Sequence, residues 1–568
     1  MRADGRSINR ARLKENRFDA VRSTQAGETP TAVARDMGPY TNRLCIWLTN
    51  DPAPDLRQAC VYCLISIADQ KNASTPVSIR RHTLYNLLGS VIPLAVALVT
   101  IPLYLKLIGE ARYGVLAIAW LLLGYFGLFD LGLGRATAQR LAALRDGTPV
   151  ERAEAFWTAL ALNVGLGVIG GLAIWPAAYY FFGHVFKVDE ALRPEILAAV
   201  PWLILAVPMA TLSGVLSGAL QGRERFLELN MISGLGTALF QLIPLGAALL
   251  LGPSLDVLIP ATLISRVFTL VMFFERCQRH VIQHHAPTFA RQQARALLGF
   301  GGWVTVTAFI SPIMSTLDRF VIGAIAGAEA VTSYTVPFQL AQRSTILSGA
   351  LSSALFPRFT AISRQEELRL AHEGLRALLV VMTPMVAGGL VLIQPFLSWW
   401  IEPAFATRSA HVGQILLLGF WANSLAYIPF AQLQARGRPD LVAKCHLLEL
   451  LPYLGLLFVG LTLLGTAGAA VAFSARVIVD FALLAGLAGT LRSSLRSLWP
   501  PMALLAAALL IASLTDPGTP LWFALCAGLL ILTVAWAWSN APTSLRSMVA
   551  SRLTTFAING FGSREFHE

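Results

Sequence analysis

Charge is scarce in this sequence. Asp, Glu, Lys and Arg together make up 13% of the 568 residues, against 55% hydrophobic ones, and mean hydropathy is +0.61. That balance excludes an ordinary soluble domain and fits a chain that crosses a membrane many times. Acidic residues are scarcer still, 32 against 44 Lys and Arg, which leaves a formal net charge of +12. The basic residues are scattered between apolar runs rather than massed in one block. Lipid headgroups and the positive-inside rule account for them, and no nucleic-acid partner is expected. Cysteine is sparse too: there are six, and Cys45, Cys60 and Cys63 precede the first apolar run, so no disulfide framework is expected. "CVYC" is a lone C-x-x-C without a second pair, and no G-x-x-x-x-G-K-[ST] loop occurs. No metal site, cofactor or ATPase of that style follows from such a chain.

Residues 1–78 are polar and irregular, with no run long enough to span and no signal-peptide pattern. The expectation is a disordered cytoplasmic N-terminal extension, or a working translation start near Met37 or Val77. From Leu84 onward, apolar runs of about 20 residues recur, each able to cross roughly 30 Å of hydrocarbon as a helix. Fourteen are read, centred near residues 94, 122, 168, 207, 240, 266, 312, 343, 385, 421, 454, 477, 506 and 529. Alternate connections, from Arg135–Arg152 through Arg492 and Arg496, carry nineteen Lys and Arg; the others carry five (Lys106, Arg112, Lys187, Arg193, Arg408). The asymmetry predicts that the basic side and both termini face the cytoplasm.

"LQGRER" (220–225) recurs as "LQARGR" (433–438), and "LLG" (250–252) recurs as "LLG" (463–465) at the same offset along the chain. Each pair brackets one expected span, and the next span of each copy has a central arginine, Arg266 in "SRVF" and Arg476 in "ARVI". Spans 1–6 therefore repeat as 7–12, with a pseudo-two-fold axis along the membrane normal. The expected fold is all-α and integral to the membrane: an N-terminal six-helix bundle (79–280), a cytoplasmic linker (281–298), a C-terminal six-helix bundle (299–490), helices 13 and 14 (491–540) and a cytoplasmic tail (541–568).

An arginine at mid-membrane costs roughly 2.5 kcal/mol or more and marks a bundle interior or wet cavity. Arg266, Arg343 and Arg476, if they converge, line a cationic cavity suited to a diphosphate, because guanidinium presents a planar fork of donors. Their structural alternative is pairing with Asp318 or Asp480. Thr307, Ser311, Ser315 and Asp318 share one face of span 7, and Thr335, Gln339, Gln342 and Arg343 one face of span 8. Asp318, a lone carboxylate on its stripe, is a candidate carrier of a coupling proton. "WW" at 399 and 400 reads as an interfacial anchor, and prolines such as Pro337 and Pro452 as bends within spans.

Three stretches carry a family resemblance: "NLLGSVIPLAVALVTIPLYLKLIGEARYGVLAIAW…LFDLGLGRATAQRLAAL" (86–144), "LDRFVIGAIAGAEAVTSYTVPFQLAQ" (317–342) and "ARGRPDLVAKCHLLELLPYLGLLFVGLTLLGTAGAAVAFSARVIVD" (435–480). Over about 80–540 the chain resembles the Wzx-type oligosaccharide flippases of the multidrug/oligosaccharidyl-lipid/polysaccharide exporter superfamily. The resemblance implies a V-shaped pair of six-helix bundles, a bacterial inner-membrane location, and transport of an undecaprenyl-diphosphate-linked glycan for polysaccharide or O-antigen biosynthesis. It also implies alternating access around a cationic cavity, coupling to H+ or Na+, and contacts with membrane lipids, a polysaccharide polymerase and chain-length proteins. Substrate contacts are expected from Arg266, Arg343, Arg476, Gln339 and Gln342, and ion coupling from Asp318 and Asp480. Two alternatives stay open. A multidrug exporter of the same superfamily shares the architecture but calls for carboxylates in its cavity, and a polymerase-like membrane enzyme needs a larger outward loop than 183–195 or 398–411 provides.

Overall fold

The computed structural model describes residues 76–130, 132–145, 147–283, 285–295, 297, 316–360, 362–543 and 546–547. The expected N-terminal extension, the span 7 stripe of Thr307, Ser311 and Ser315, and most of the C-terminal tail lie outside them. Among the described residues every regular element is helical, and ten helices are long and apolar enough to cross a membrane. This is a multi-pass all-α membrane protein. α1 (Pro76–Tyr125) breaks at Gly109 (φ 78) and α11 (Pro439–Ala488) at Gly465 (φ 59), so each holds two of the expected span centres. The centre near 312 lies outside the described residues.

The centre near 343 falls on a break instead of a continuous span. Arg343 caps α7 (Ala328–Gln342), and α8 (Thr345–Phe359) starts two residues later. The amides of Arg343, Ser344 and Ile346 donate to Leu340, Ala341 and Arg343 carbonyls at 3.2, 3.1 and 3.3 Å, three residues back in each case, which tightens the turn and redirects the chain.

The repeat recurs in backbone detail. α3 (Pro149–Tyr180) and α9 (Arg364–Trp400) both open on capping boxes, Thr148 with Glu151 and Ser363 with Glu366. α4 (Arg193–Gly222) and α10 (Pro403–Ala435) end at the offset of the sequence repeat. After α4 the Arg225 amide donates to Leu220 O at 3.0 Å around Glu224 at φ 57; after α10 the Arg438 amide donates to Leu433 O at 3.0 Å around Gly437 at φ 68. α5 (Phe226–Leu250) and α11 then begin, again in register with the repeat. α6 (Leu255–Cys277) closes the first copy. Small residues let α4 lie directly on α2 (Leu133–Ala143): a Cβ on Gly218 would stand 2.1 Å from Gly134 O, and one on Gly222 2.5 Å from Ala138 O. α12 (Leu491–Leu514) and α13 (Pro520–Asn540) follow the second copy, both packing on α9.

The two halves join at the end bearing the sparsely basic connections. Glu110 pairs with Arg408, and its carbonyl accepts from Thr332 Oγ1 at 2.6 Å. The Lys187 amide donates to Gly323 O at 3.1 Å, and Gly114 lies so close to Ala328 that a Cβ would stand 2.0 Å from its carbonyl oxygen. The expected tryptophan anchor divides. Trp399 is 82% exposed, whereas Trp400 turns inward and donates to Leu98 O at 2.6 Å, crossing between the halves.

Candidate functional site

Aromatic rings answer the two arginines of the repeat. The Arg266 guanidinium on α6 lies 4.6 Å from the Phe240 ring centre on α5, and Arg266 makes no ion pair among the described residues. The Arg476 guanidinium lies 5.3 Å from the Tyr453 ring and 5.5 Å from Phe473. A cation over a desolvated ring face gains about 2 kcal/mol, comparable to the cost of placing it there.

Arg476 also lines a cavity of about 290 Å³ inside the second half, with Gln342, Asp480 and His446 as polar neighbours and Phe338, Phe420 and Phe473 among its apolar walls. The rings of Phe338, Phe420 and Phe473 stand 5.0–5.2 Å apart and form a rigid apolar side. Of the expected site residues, the structure brings Gln342, Arg476 and Asp480 to this one cavity. Arg343 is exposed at the break beside Gln342, Gln339 is half-buried one turn earlier, and Arg266 lies in the first half. The chemistry on offer is a guanidinium fork and an amide for an anion, beside aromatic faces for sugar or lipid carbon.

Asp318 is not the partner of Arg343. It is 1% exposed in the helical residues 316–325; its Oδ1 accepts from Arg319 Nη1 at 3.0 Å and from the Arg319 amide at 2.9 Å, and its Oδ2 accepts from Tyr334 at 2.8 Å. The Arg319 guanidinium then covers the Phe338 ring at 3.8 Å. Asp480 likewise faces His446 Nε2 at 3.5 Å, although Arg476 is one turn away on its own helix. Sequence reasoning missed Arg319, His446 and Glu449. The signal was there: His446, Glu449 and Tyr453 fall on one face of an apolar run, "HLLELLPY".

Comparison with known proteins places this architecture. Over 409 residues, 72% of this chain and 97% of the other, the sequence is 29% identical to a Shigella flexneri protein named "Putative O-antigen transporter". Among solved structures, the lipid II flippase MurJ in an inward closed conformation is similar with a TM-score of 0.60 at 15% identity, covering 82% of this chain and 99% of MurJ. An inward-facing multidrug resistance MATE family transporter of the MOP superfamily is similar with a TM-score of 0.57 at 14% identity, covering 74% and 96%. At such identities the two structures speak for the fold. Residues 105–401, more than half of the chain, match the family described as Polysaccharide biosynthesis protein, and this chain belongs to that family.

Proposed function

We propose that this protein is a flippase, not an enzyme, and that it carries an undecaprenyl-diphosphate-linked oligosaccharide across the bacterial inner membrane by alternating access. The observation that carries this reading is Arg476 with Gln342 in a cavity walled by aromatic rings, inside one of two repeated halves of a polysaccharide biosynthesis protein. A planar fork of donors in a low-dielectric site suits a diphosphate, while the rings suit the first sugars or the isoprenyl stem. The O-antigen transporter named in Shigella flexneri supports the same substrate class.

With the basic connections and both termini cytoplasmic, the contacts around Glu110 and Arg408 close the outward end, so cargo enters from the side where lipid-linked precursors are built. Arg266, Arg343 and Gln339 extend the cationic path as the halves rock. Coupling to H+ or Na+ falls on Asp480 rather than Asp318, because Asp480 borders the cavity whereas Asp318 is enclosed by its own donors, Arg319 and Tyr334.

Arg476→Ala, compared with wild type in the same cells for surface glycan and for membrane protein level, tests the reading. Export should fall by roughly tenfold or more at unchanged protein level, with Arg476→Lys recovering only part of it because Lys keeps the charge and loses the fork. Normal export by Arg476→Ala sinks the proposal.

A further inference from the structure

Glu449 sits one turn from Tyr453 on α11 and three residues from His446, whose Nε2 stands 3.5 Å from Asp480 Oδ1. Glu449 is 5% exposed and Asp480 7%. Among the described residues, both Glu449 oxygens and Asp480 Oδ1 are buried without a hydrogen-bond partner. Two buried carboxyls on either side of one histidine, with oxygens that no donor satisfies, cannot both stay ionised in a low-dielectric interior, and neither can donate to the other without a proton between them.

The repeat shows that the fold does not require this pair. In the register that matches Tyr453 to Phe240, Glu449 corresponds to Gly236. In the register that matches Arg476 to Arg266, Asp480 corresponds to Leu270. The first half therefore packs the same two helices with no acid at either place. Both carboxyls are additions to the second half, at the point where its arginine lines a cavity.

We infer that Glu449 and Asp480 form a proton-binding site belonging to the second half alone, whose occupancy is linked to the binding of an anionic headgroup on Arg476. The proton enters through Asp480 and His446, both of which line the cavity, and is passed to Glu449 behind them. No bond other than O–H forms or breaks. The charged groups facing the pair are Arg476 on the same helix as Asp480, His446 on that of Glu449, and, through Tyr453, Asp318 and Arg319 from residues 316–325. With one shared proton the pair carries a single negative charge that offsets Arg476. A second proton leaves the guanidinium uncompensated and strengthens its hold on an anion, and by linkage the anion strengthens the hold on that proton.

The proton site rests on the carboxyl geometry; its linkage to a headgroup rests on the flippase reading. Two measurements on the full chain in lipid nanodiscs separate them. Infrared difference spectra of wild type against Glu449→Gln and Asp480→Asn should show a protonated-carboxyl band at neutral pH that is lost in each variant, since removing one acid frees the other to ionise. A wild type lacking the band, or both variants keeping it, overturns the site. Undecaprenyl diphosphate binding should tighten as pH falls, by up to about tenfold per pH unit in wild type and far less in Glu449→Gln. Binding that is equally insensitive to pH in both overturns the linkage, while absence of binding at every pH, with the band present, removes the headgroup reading and leaves the proton site standing.

Discussion

Phe240 and Tyr453 hold the same place in the two halves, and each lies under an arginine guanidinium from the following helix, Arg266 at 4.6 Å and Arg476 at 5.3 Å. The two arginines are spaced slightly less widely along the chain than the two rings, because residues 251–254 separate α5 from α6, whereas the two arms of α11 meet at the single non-helical residue Gly465. An arginine at mid-span therefore needs no cavity of its own. A ring on the neighbouring helix suffices to hold it, and in the second half the pair is combined with a pocket.

Replacing Phe240 by Leu keeps an apolar side chain and removes the ring face. Stability of the purified protein should fall by about 1–2 kcal/mol, with Phe240→Trp close to wild type because indole is the better ring for a cation. Equal stability of the Leu variant, measured by thermal unfolding in detergent, would show that Arg266 is held by something else.

The turns after α4 and α10 give opposite outcomes from the same backbone. Glu224 occupies the left-handed region at φ 57, where a Cβ is strained, and Gly437 fills the matching place at φ 68 without strain. Glu224→Gly should stabilise by about 0.5–1 kcal/mol and Gly437→Ala destabilise by about 1–2 kcal/mol. Calorimetry of the two variants in one detergent is the check, and a shift of the same sign in both contradicts the shared turn.

Much of this was legible because it is periodic. Apolar length announced spans such as those centred on 168, 207 and 385, and the internal repeat announced the paired turns and the paired arginines. What the residue pattern could not give is which side chain answers which. Asp318 and Arg343 look like partners on facing stripes, yet Arg319, adjacent in sequence, closes on Asp318, because a buried carboxylate takes the nearest donors that cost least chain entropy. Arg364 and Arg436 belong to the nineteen basic residues of the alternate connections, yet both bond to buried Glu367 and to the Ala488 carbonyl, tying the ends of α9, α10 and α11. Glu449 was invisible to a search for arginines, since only the fold turns it toward Asp480.

The contacts around Glu110 and Arg408 predict a lock. Glu110 and Arg408 touch across the halves through the tips of two long side chains, so cysteines at both positions should be joined by a short bis-methanethiosulfonate cross-linker. That link should reduce glycan export to background, with reduction restoring it, because alternating access requires these ends to part. Export that continues at the wild-type rate in fully cross-linked protein contradicts the gate.

Arg319 offers the sharpest separation of support from transport. Asp318 and Arg319 are 1% and 4% exposed, and Arg319→Met takes the guanidinium from the buried carboxylate while Tyr334 still donates to it. Removing one member of a buried ion pair costs about 3–5 kcal/mol, and the variant should be scarce in the membrane. Asp318→Asn combined with Arg319→Met removes both charges, and replacing a whole buried pair is often neutral, so abundance should return to near wild type. If the pair only braces the helix against α7, export returns with it, and the ratio of export to protein stays constant across wild type and both variants. A double variant that is abundant but does not export moves Asp318 from a brace to a part of the transport cycle, where its charge must change as the halves exchange access.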